Sequence, residues 1–518
     1  MKISTAILLA SASALLKVGA EPSAWSTYLD SRSTMTVLAE SPPPLEVSPL
    51  IVSGDPKNRI DIVFFSDGYL SSEKPKFLSD AMAFAKDITT NNTFHSVQPL
   101  MNFWAAFTPS KESGVGRGGQ PLDTVFQLYR DGTELRGVWS NDYEKGRVAC
   151  SSLGAQCDYP VLAGNDPLYG GSGGIPTIIT ASPLNGHQIL RHELGHSILG
   201  VGEEYDGQPY NGYFGINAAK TNANPIPWAH WLTDPASEPR TQRSVMPYQN
   251  YAWALMNMTT PWQATFVSSG TFTRHLLRFS LSGLPAKTDM KLELDGVDLN
   301  WEPKPDVGMD RWFYDMYRDM PLEAGKHQVK FTLKNMELEG DAQMCSLEVL
   351  EFGNADEFIA KLGYVGAFPT YSMPENRTTY RPTNEDCLMR QVTTSTYCPV
   401  CLEGLWTTLL GRLSLIDNVT ETCEPQTSST ILNATLIPVA QFRSGTKIPG
   451  ESYTIQWLKN GKVVAGFTNQ TVVKIPKADA SGNYTLDVKF SSAEIRLDRN
   501  RVTEGQLVHT ITGACNEK

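Results

Sequence analysis

Apolar positions change their spacing along this chain, and each spacing predicts a different element. Behind Lys2, Ile3 to Leu16 is an apolar or small run without charge, followed by the small residues Val18 and Ala20. A run this short predicts an export signal over residues 1–20, cleaved after Ala20, rather than a membrane span. Residues 21–54 read as an extension, with Ser41-Pro42-Pro43-Pro44 an extended linker. Ile60 to Phe65 is continuously apolar and ends at Asp67-Gly68, which predicts a buried strand and a turn. Phe77, Ala81, Met82, Phe84 and Ala85 recur at helical spacing, and Asn102 to Phe107 is strand-like again. Such alternation predicts an α/β layer. Tyr169 to Gly174 is glycine-rich but lacks the ending of a phosphate loop, so it reads as a loop or an edge strand. Ile175 to Ile179 predicts a strand leading into the next helix.

Further on the period becomes two. Met290 to Leu294 and Val329 to Leu333 alternate, as antiparallel strands with one buried face do. Residues 266–352 are therefore expected to form a β-sandwich inserted into a domain that runs over 55–265 and resumes over 353–415. A linker is expected over 416–431 and a second β domain over 432–518. There Tyr453, Ile455 and Trp457 alternate, and Asn460-Gly461 is a hairpin turn. Asp479 to Tyr484 resembles the tyrosine corner of immunoglobulin-like domains, although Leu486 stands where their cysteine would be. The fold class expected is α+β and multidomain.

Composition narrows the function classes. A formal net charge of -11 argues against general affinity for nucleic acid or anionic membrane. No later segment has the length and apolarity of a membrane span, so the mature chain is expected to be secreted. Eight cysteines in an exported chain make disulfides the first expectation. Cys150 and Cys157 suit a local loop, and the cluster Cys387, Cys398 and Cys401 suits at least one bridge. Cys398-Pro399-Val400-Cys401 alternatively reads as half of a zinc knuckle or a redox pair. Sequons at Asn91, Asn257, Asn376, Asn418, Asn433, Asn469 and Asn483 fit an exported glycoprotein.

The chemistry concentrates in His192-Glu193-Leu194-Gly195-His196. Ile189, Leu190, Leu194, Ile198 and Leu199 give the surrounding stretch the apolar stripe of a buried helix. Histidines four apart share a helix face, so both imidazoles reach one zinc ion, with Glu193 beside them as general base for a hydrolytic water. Gly200 permits a sharp turn that brings back a third ligand. In metzincins a glycine stands three residues before that ligand. The same spacing from Gly200 selects Glu203, with Glu204 and then Asp206 as alternatives. His187 reads as a structural histidine.

The stretch from His192 through Gly200 to Glu203-Glu204-Tyr205 resembles the site of the IgA-peptidase family of zinc metalloendopeptidases. Phe65 to Tyr69, Ser110 to Gly114 and Tyr169 to Gly173 resemble its flanking motifs. Tyr380-Arg381-Pro382, Cys387 to Arg390 and Cys398 to Cys401 resemble later ones. The resemblance covers about 60 to 405 with a gap over the proposed insert, and it excludes the terminal domain. It implies a metzincin-like catalytic domain in which Met389 forms the turn beneath the metal; Met246 is its rival on local pattern. It does not imply cleavage of IgA.

The expectation is thus a secreted zinc endopeptidase with Glu193 as catalytic base and His192, His196 and Glu203 as metal ligands. Its partners would be extracellular protein substrates, with glycan or cell-surface contacts through the β domains. Two alternatives remain: a zinc amidase, and an adhesion or glycan-binding protein with an inactive peptidase-like core.

Overall fold

The apolar run at Ile60 becomes the central strand of a six-stranded sheet. In the computed structural model, which describes residues 41–90, 93–131, 137–205, 214–220, 225–235, 240–372, 377–424, 426–513 and 515, this sheet contains β1 (Glu46–Ile51), β2 (Ile60–Asp67), β3 (Met101–Phe107), β6 (Tyr159–Gly164), β7 (Gly171–Ser172) and β8 (Thr177–Thr180). A hairpin of β4 (Leu128–Arg130) and β5 (Val138–Ser140) lies outside it. The strand order is β1-β3-β2-β6-β8-β7. The inner four strands run parallel, and both edge strands, β1 and β7, are antiparallel. Every residue of β2 and β3 is buried, as strands covered on both faces require.

Helices supply the cover. On one face α1 (Lys74–Thr90) buries Phe77, Ala81, Phe84, Ala85 and Ile88, and Phe84 packs on Phe64. On the other face Val63, Phe65 and Leu162 pack with Phe126, Leu128 and Ala149, the last from α2 (Tyr143–Ser152). At the end of β2 the buried Asp67 carboxylate accepts N–H groups from Phe126 and Leu128 and the Thr124 hydroxyl. Gly68 follows in a left-handed conformation, where a Cβ would lie 2.0 Å from the Gly114 carbonyl oxygen. Two separated motifs of the sequence are therefore one interlocked turn, with the Gly114 N–H donating to the Gly68 carbonyl.

The period-two region forms two facing antiparallel sheets. One contains Ser244–Asn250, Arg274–Ser282, Trp312–Arg318 and Gln343–Phe352, with Ala254–Leu255 at its side. The other contains Trp262–Ser268, Met290–Leu294, Val297–Asp298 and Gly325–Leu333. They share a core that includes Phe266, Leu277, Phe279, Val329, Phe331 and Leu347. Strand Trp262–Ser268 spans the boundary expected at 265/266, and Ser244–Asn250 already pairs with Gln343–Phe352.

Residues 416–431, read from sequence as a linker, instead hold strand. Ile416–Glu424 pairs antiparallel with Ser429–Leu436. The polar, charged outer face of Ile416–Glu424 hides its period; only Ile416 is buried. Val472–Ile475 extends this sheet, and one further antiparallel sheet, of Ser452–Lys459, Lys462–Val463, Gly482–Ser491 and Glu504–Ile511, completes the C-terminal region. Asn460 and Gly461 both take positive φ in the tight turn after Lys459. The Tyr484 hydroxyl donates to the Asp479 carbonyl, five residues upstream. This region is packed on the rest of the chain: Trp406 meets Phe490 in a tilted ring contact, and Glu403 accepts the N–H groups of Arg496 and Leu497.

Disulfides join Cys150 to Cys157 and Cys423 to Cys515. Cys387, Cys398 and Cys401 are free thiols, which overturns the expected bridge among them. Of the sequons, Asn418, Asn433, Asn469 and Asn483 are exposed and Asn257 is half-buried; Asn91 and Asn376 lie outside the described residues, as does the export signal. Among the described residues no helix is long and apolar enough to cross a membrane.

Candidate metal centre

Helix α3 (Gly186–Leu194) carries the first histidine, and a wider helical turn over Gly195–Leu199 carries the second. The helix is fixed from several sides. Ile189, Leu190 and Leu194 are buried, Arg191 pairs with Asp87 of α1, and the Tyr397 hydroxyl donates to the Arg191 carbonyl. Gly200 ends it with φ of 64°. That left-handed turn, cheap for glycine, redirects the chain toward the histidines.

The result is a convergent set. His192 Nε2 and His196 Nε2 lie 3.2 Å apart. The Glu203 carboxylate reaches both, at 3.1 Å from His192 Nε2 and 3.0 Å from His196 Nε2. Each imidazole is oriented from behind: His192 Nδ1 donates to the Leu388 carbonyl at 2.9 Å and His196 Nδ1 to the Val201 carbonyl at 2.8 Å. A carbonyl can only accept, so in the neutral rings the proton sits on Nδ1 and both Nε2 lone pairs face each other and the carboxylate. Two lone pairs and an anion in one buried space call for a cation. The donor set of two imidazoles and a carboxylate fits a metal ion.

Protons on the imidazoles can meet the same demand for positive charge. Burial raises the Glu203 carboxyl, but the charges of and hydrogen bonds with His196 and His192 outweigh it and hold it well below the usual carboxylate range. Burial lowers His196, yet Glu203 carries it up to about 9. Glu193 is pushed up by burial, against the opposing influence of the two histidines. The Gly173 N–H hydrogen-bonds Glu193, and a Cβ on Gly173 would stand 2.9 Å from Glu193 Oε2 and 3.2 Å from the His196 Cβ. The glycine-rich segment, left open between loop and strand by the sequence, is thus partly the edge strand β7, and it abuts Glu193.

Other candidates separate cleanly. Glu204 turns away from the histidines: its carboxylate accepts from Asn217 and faces Cys401. Asp206 lies outside the described residues. Met389 lies directly under α3, with Sδ 2.6 Å from the position a Gly195 Cβ would take. Met246 packs elsewhere, with Leu276, Leu350 and Phe352. His187 meets the edge of Phe84, a structural contact.

Sequence reasoning missed the contribution of the facing sheets. Asp310 accepts the Tyr169 N–H at 2.6 Å, the Ser182 hydroxyl at 2.8 Å and the Asn185 amide at 2.8 Å. Arg311 lies over Tyr169, Trp253 and Phe313. Tyr169 feels the charges of both Glu193 and Glu203. Nothing in the local pattern around Asp310 announces these partners, which are more than a hundred residues away in sequence.

Residues 48–276 match the family described as IgA Peptidase M64, so the resemblance read from the motifs holds over that segment. This is a family of metallopeptidases, and the match over that segment supports a peptidase class. No curated protein matches the chain. Among solved structures, a family 35 carbohydrate binding module from an environmental isolate is 10% identical, over 19% of this chain and 74% of its own, with a TM-score of 0.15. A family 35 module from Clostridium thermocellum is 11% identical over 20% of this chain and 90% of its own, also at 0.15. An FMN-binding beta-glucuronidase from Facaelibacterium prausnitzii L2-6 is 10% identical over 49% and 34%, at 0.13. Likenesses of that size define no fold for this chain.

Proposed function

We propose that this chain is a secreted zinc-dependent endopeptidase of metzincin-like construction acting on extracellular proteins. His192, His196 and Glu203 would hold the metal, and Glu193 would be the general base. The observation that carries this is the convergence of two Nε2 atoms and one carboxylate, each imidazole held from behind by a carbonyl. Zinc, when bound, supplies Lewis acidity at neutral pH.

The remaining chemistry belongs to the chain. Glu193 takes a proton from the attacking water and hands it to the leaving amine. Burial raises its proton affinity, the direction that suits a group that takes up a proton and then returns it. The Gly173 N–H orients it. Strand β7 is an edge, so an extended peptide laid along it would present a backbone carbonyl beside Glu193. The C-terminal β region, with its exposed sequons, is proposed as a glycosylated accessory module.

The test is proteolysis of a mixed protein substrate by the mature chain, with chelator, with zinc restored, and in a Glu193→Gln variant. Cleavage that stops with chelator, returns with zinc and is absent in the variant supports the reading. Equal cleavage by the variant removes Glu193 from the mechanism. Cleavage of small amides alone would favour an amidase.

A further inference from the structure

A second cluster lies behind the first and has no part in the proposed hydrolysis. Glu204, Cys387, Cys398 and Cys401 are all buried, and one ligand atom from each lies within 4.8 Å of every other. They come from three segments: the loop after the histidine helix, the turn that carries Met389, and the start of α4 (Pro399–Leu410).

From this geometry we infer a structural zinc site of three thiolates and one carboxylate. Cys387 Sγ and Cys401 Sγ are 3.7 Å apart, and Cys401 Sγ is 3.6 Å from Glu204 Oε1. Tetrahedral zinc with bonds of about 2.3 Å to sulfur and about 2.0 Å to oxygen sets ligand atoms roughly 3.8 Å and 3.5 Å apart. A disulfide needs sulfurs at about 2.0 Å, the spacing at Cys150–Cys157, whereas Cys387 and Cys401 stand well apart. Cys398 and Cys401 have the two-residue spacing of a zinc knuckle. Backbone groups point at the sulfurs as they do around bound thiolates: the Cys398 N–H donates to Cys387 Sγ at 3.4 Å, and the Cys401 N–H donates to Cys398. Independently, Glu204 Oε2 is buried with no hydrogen-bond partner among the described residues. A buried carboxylate oxygen without a donor is costly, and a metal ion would satisfy it. Arg381 acts on Glu204 electrostatically and Arg390 donates to its carbonyl, so positive charge offsets the anionic ligand set.

The site ties down the elements that build the first one. Glu204 follows Glu203 directly, and its N–H donates to the Met389 carbonyl. Cys387 precedes Leu388, whose carbonyl orients His192. Zinc here would clamp the third ligand and the turn beneath the histidines as one unit.

Cobalt substitution of the full mature chain tests this, because the histidine site contains no sulfur. The expected result is a thiolate-to-cobalt charge-transfer band that persists in a His192→Ala/His196→Ala variant, which keeps one metal per chain where the unaltered protein holds two. Cys398→Ser should remove the band and weaken metal binding at the histidine site about 10- to 100-fold, as loss of outer support does. If that variant fails to fold, thiol titration of the unaltered protein in denaturant with chelator still decides. Four reactive thiols, including Cys345, are expected. Two fewer thiols would mean a disulfide in the cluster and overturn the site, as would four thiols without the charge-transfer band. A band in a chain that cleaves no protein would leave this site standing while the peptidase reading fell.

Discussion

Gly195 of the histidine helix and Met389 are in contact so close that a Cβ on the glycine would stand 2.6 Å from the methionine sulfur and 2.9 Å from the Tyr397 hydroxyl. On helix propensity alone, Gly195→Ala should stabilise by up to about 1 kcal/mol. Here the sign reverses. Met389 and Tyr397 are buried, and Tyr397 is held by its bond to the Arg191 carbonyl, so neither yields freely. We expect a loss of about 1–3 kcal/mol from overpacking, read by chemical denaturation, with weaker metal retention because Leu388 moves with its neighbour. An alanine variant more stable than the parent would mean that this contact is loose.

The contrast between these two residues shows what was legible beforehand. His192, Glu193 and His196 are local in sequence, and helical periodicity alone places the two imidazoles on one face. Gly200 announces a turn through its backbone freedom, so Glu203 follows from spacing. The strands at Ile60 and Asn102 are legible because burial on both faces leaves an unbroken apolar run. The support is different in kind. The Leu388 carbonyl is a backbone group 196 residues from His192, and any residue type would provide it. Asp310 looks like any loop aspartate until the fold brings Tyr169, Ser182 and Asn185 to it. The free cysteines were misjudged because compartment argues for bridges, whereas their distances are set by three separate segments.

Gly173 should behave differently from Gly195. Its Cβ would first meet the free end of Glu193, a side chain that can swing aside, and would come within 3.2 Å of the His196 Cβ. Gly173→Ala should therefore cost less stability than Gly195→Ala while displacing the Glu193 carboxylate. We expect proteolytic activity to fall at least about 100-fold, within the range attributed to a positioned acid–base group, and metal content measured beside it separates displacement of Glu193 from pressure on His196. Retained activity would remove Gly173 from the positioning of Glu193.

Asp310 couples the facing sheets to the site. Asp310→Ala would leave the Tyr169 N–H, the Ser182 hydroxyl and the Asn185 amide without their acceptor, all at buried or half-buried positions. Losing such a charged acceptor costs about 3 kcal/mol or more. Tyr169 would be released beside Glu193 and Glu203, so turnover should drop beyond what lost stability explains. Measuring activity on the folded fraction separates the two, and full activity there would confine Asp310 to stability.

Asp67 makes a prediction in pH that avoids the metal centre. Burial raises its carboxyl from 3.8 to about 6, outweighing the N–H donors of Phe126 and Leu128 and the Thr124 hydroxyl. The folded chain therefore binds this proton more tightly than the unfolded chain does. The stabilising contribution is fully present below 3.8 and is lost as pH rises through about 6. In Asp67→Asn the group no longer titrates, while other carboxyls are common to both chains. The stability of the parent minus that of the variant should therefore fall across this window by on the order of 3 kcal/mol. Denaturation of both proteins at several pH values reads it directly. A difference that stays flat from pH 3.8 to about 6 would mean that the interlocked turn leaves Asp67 in ordinary contact with water.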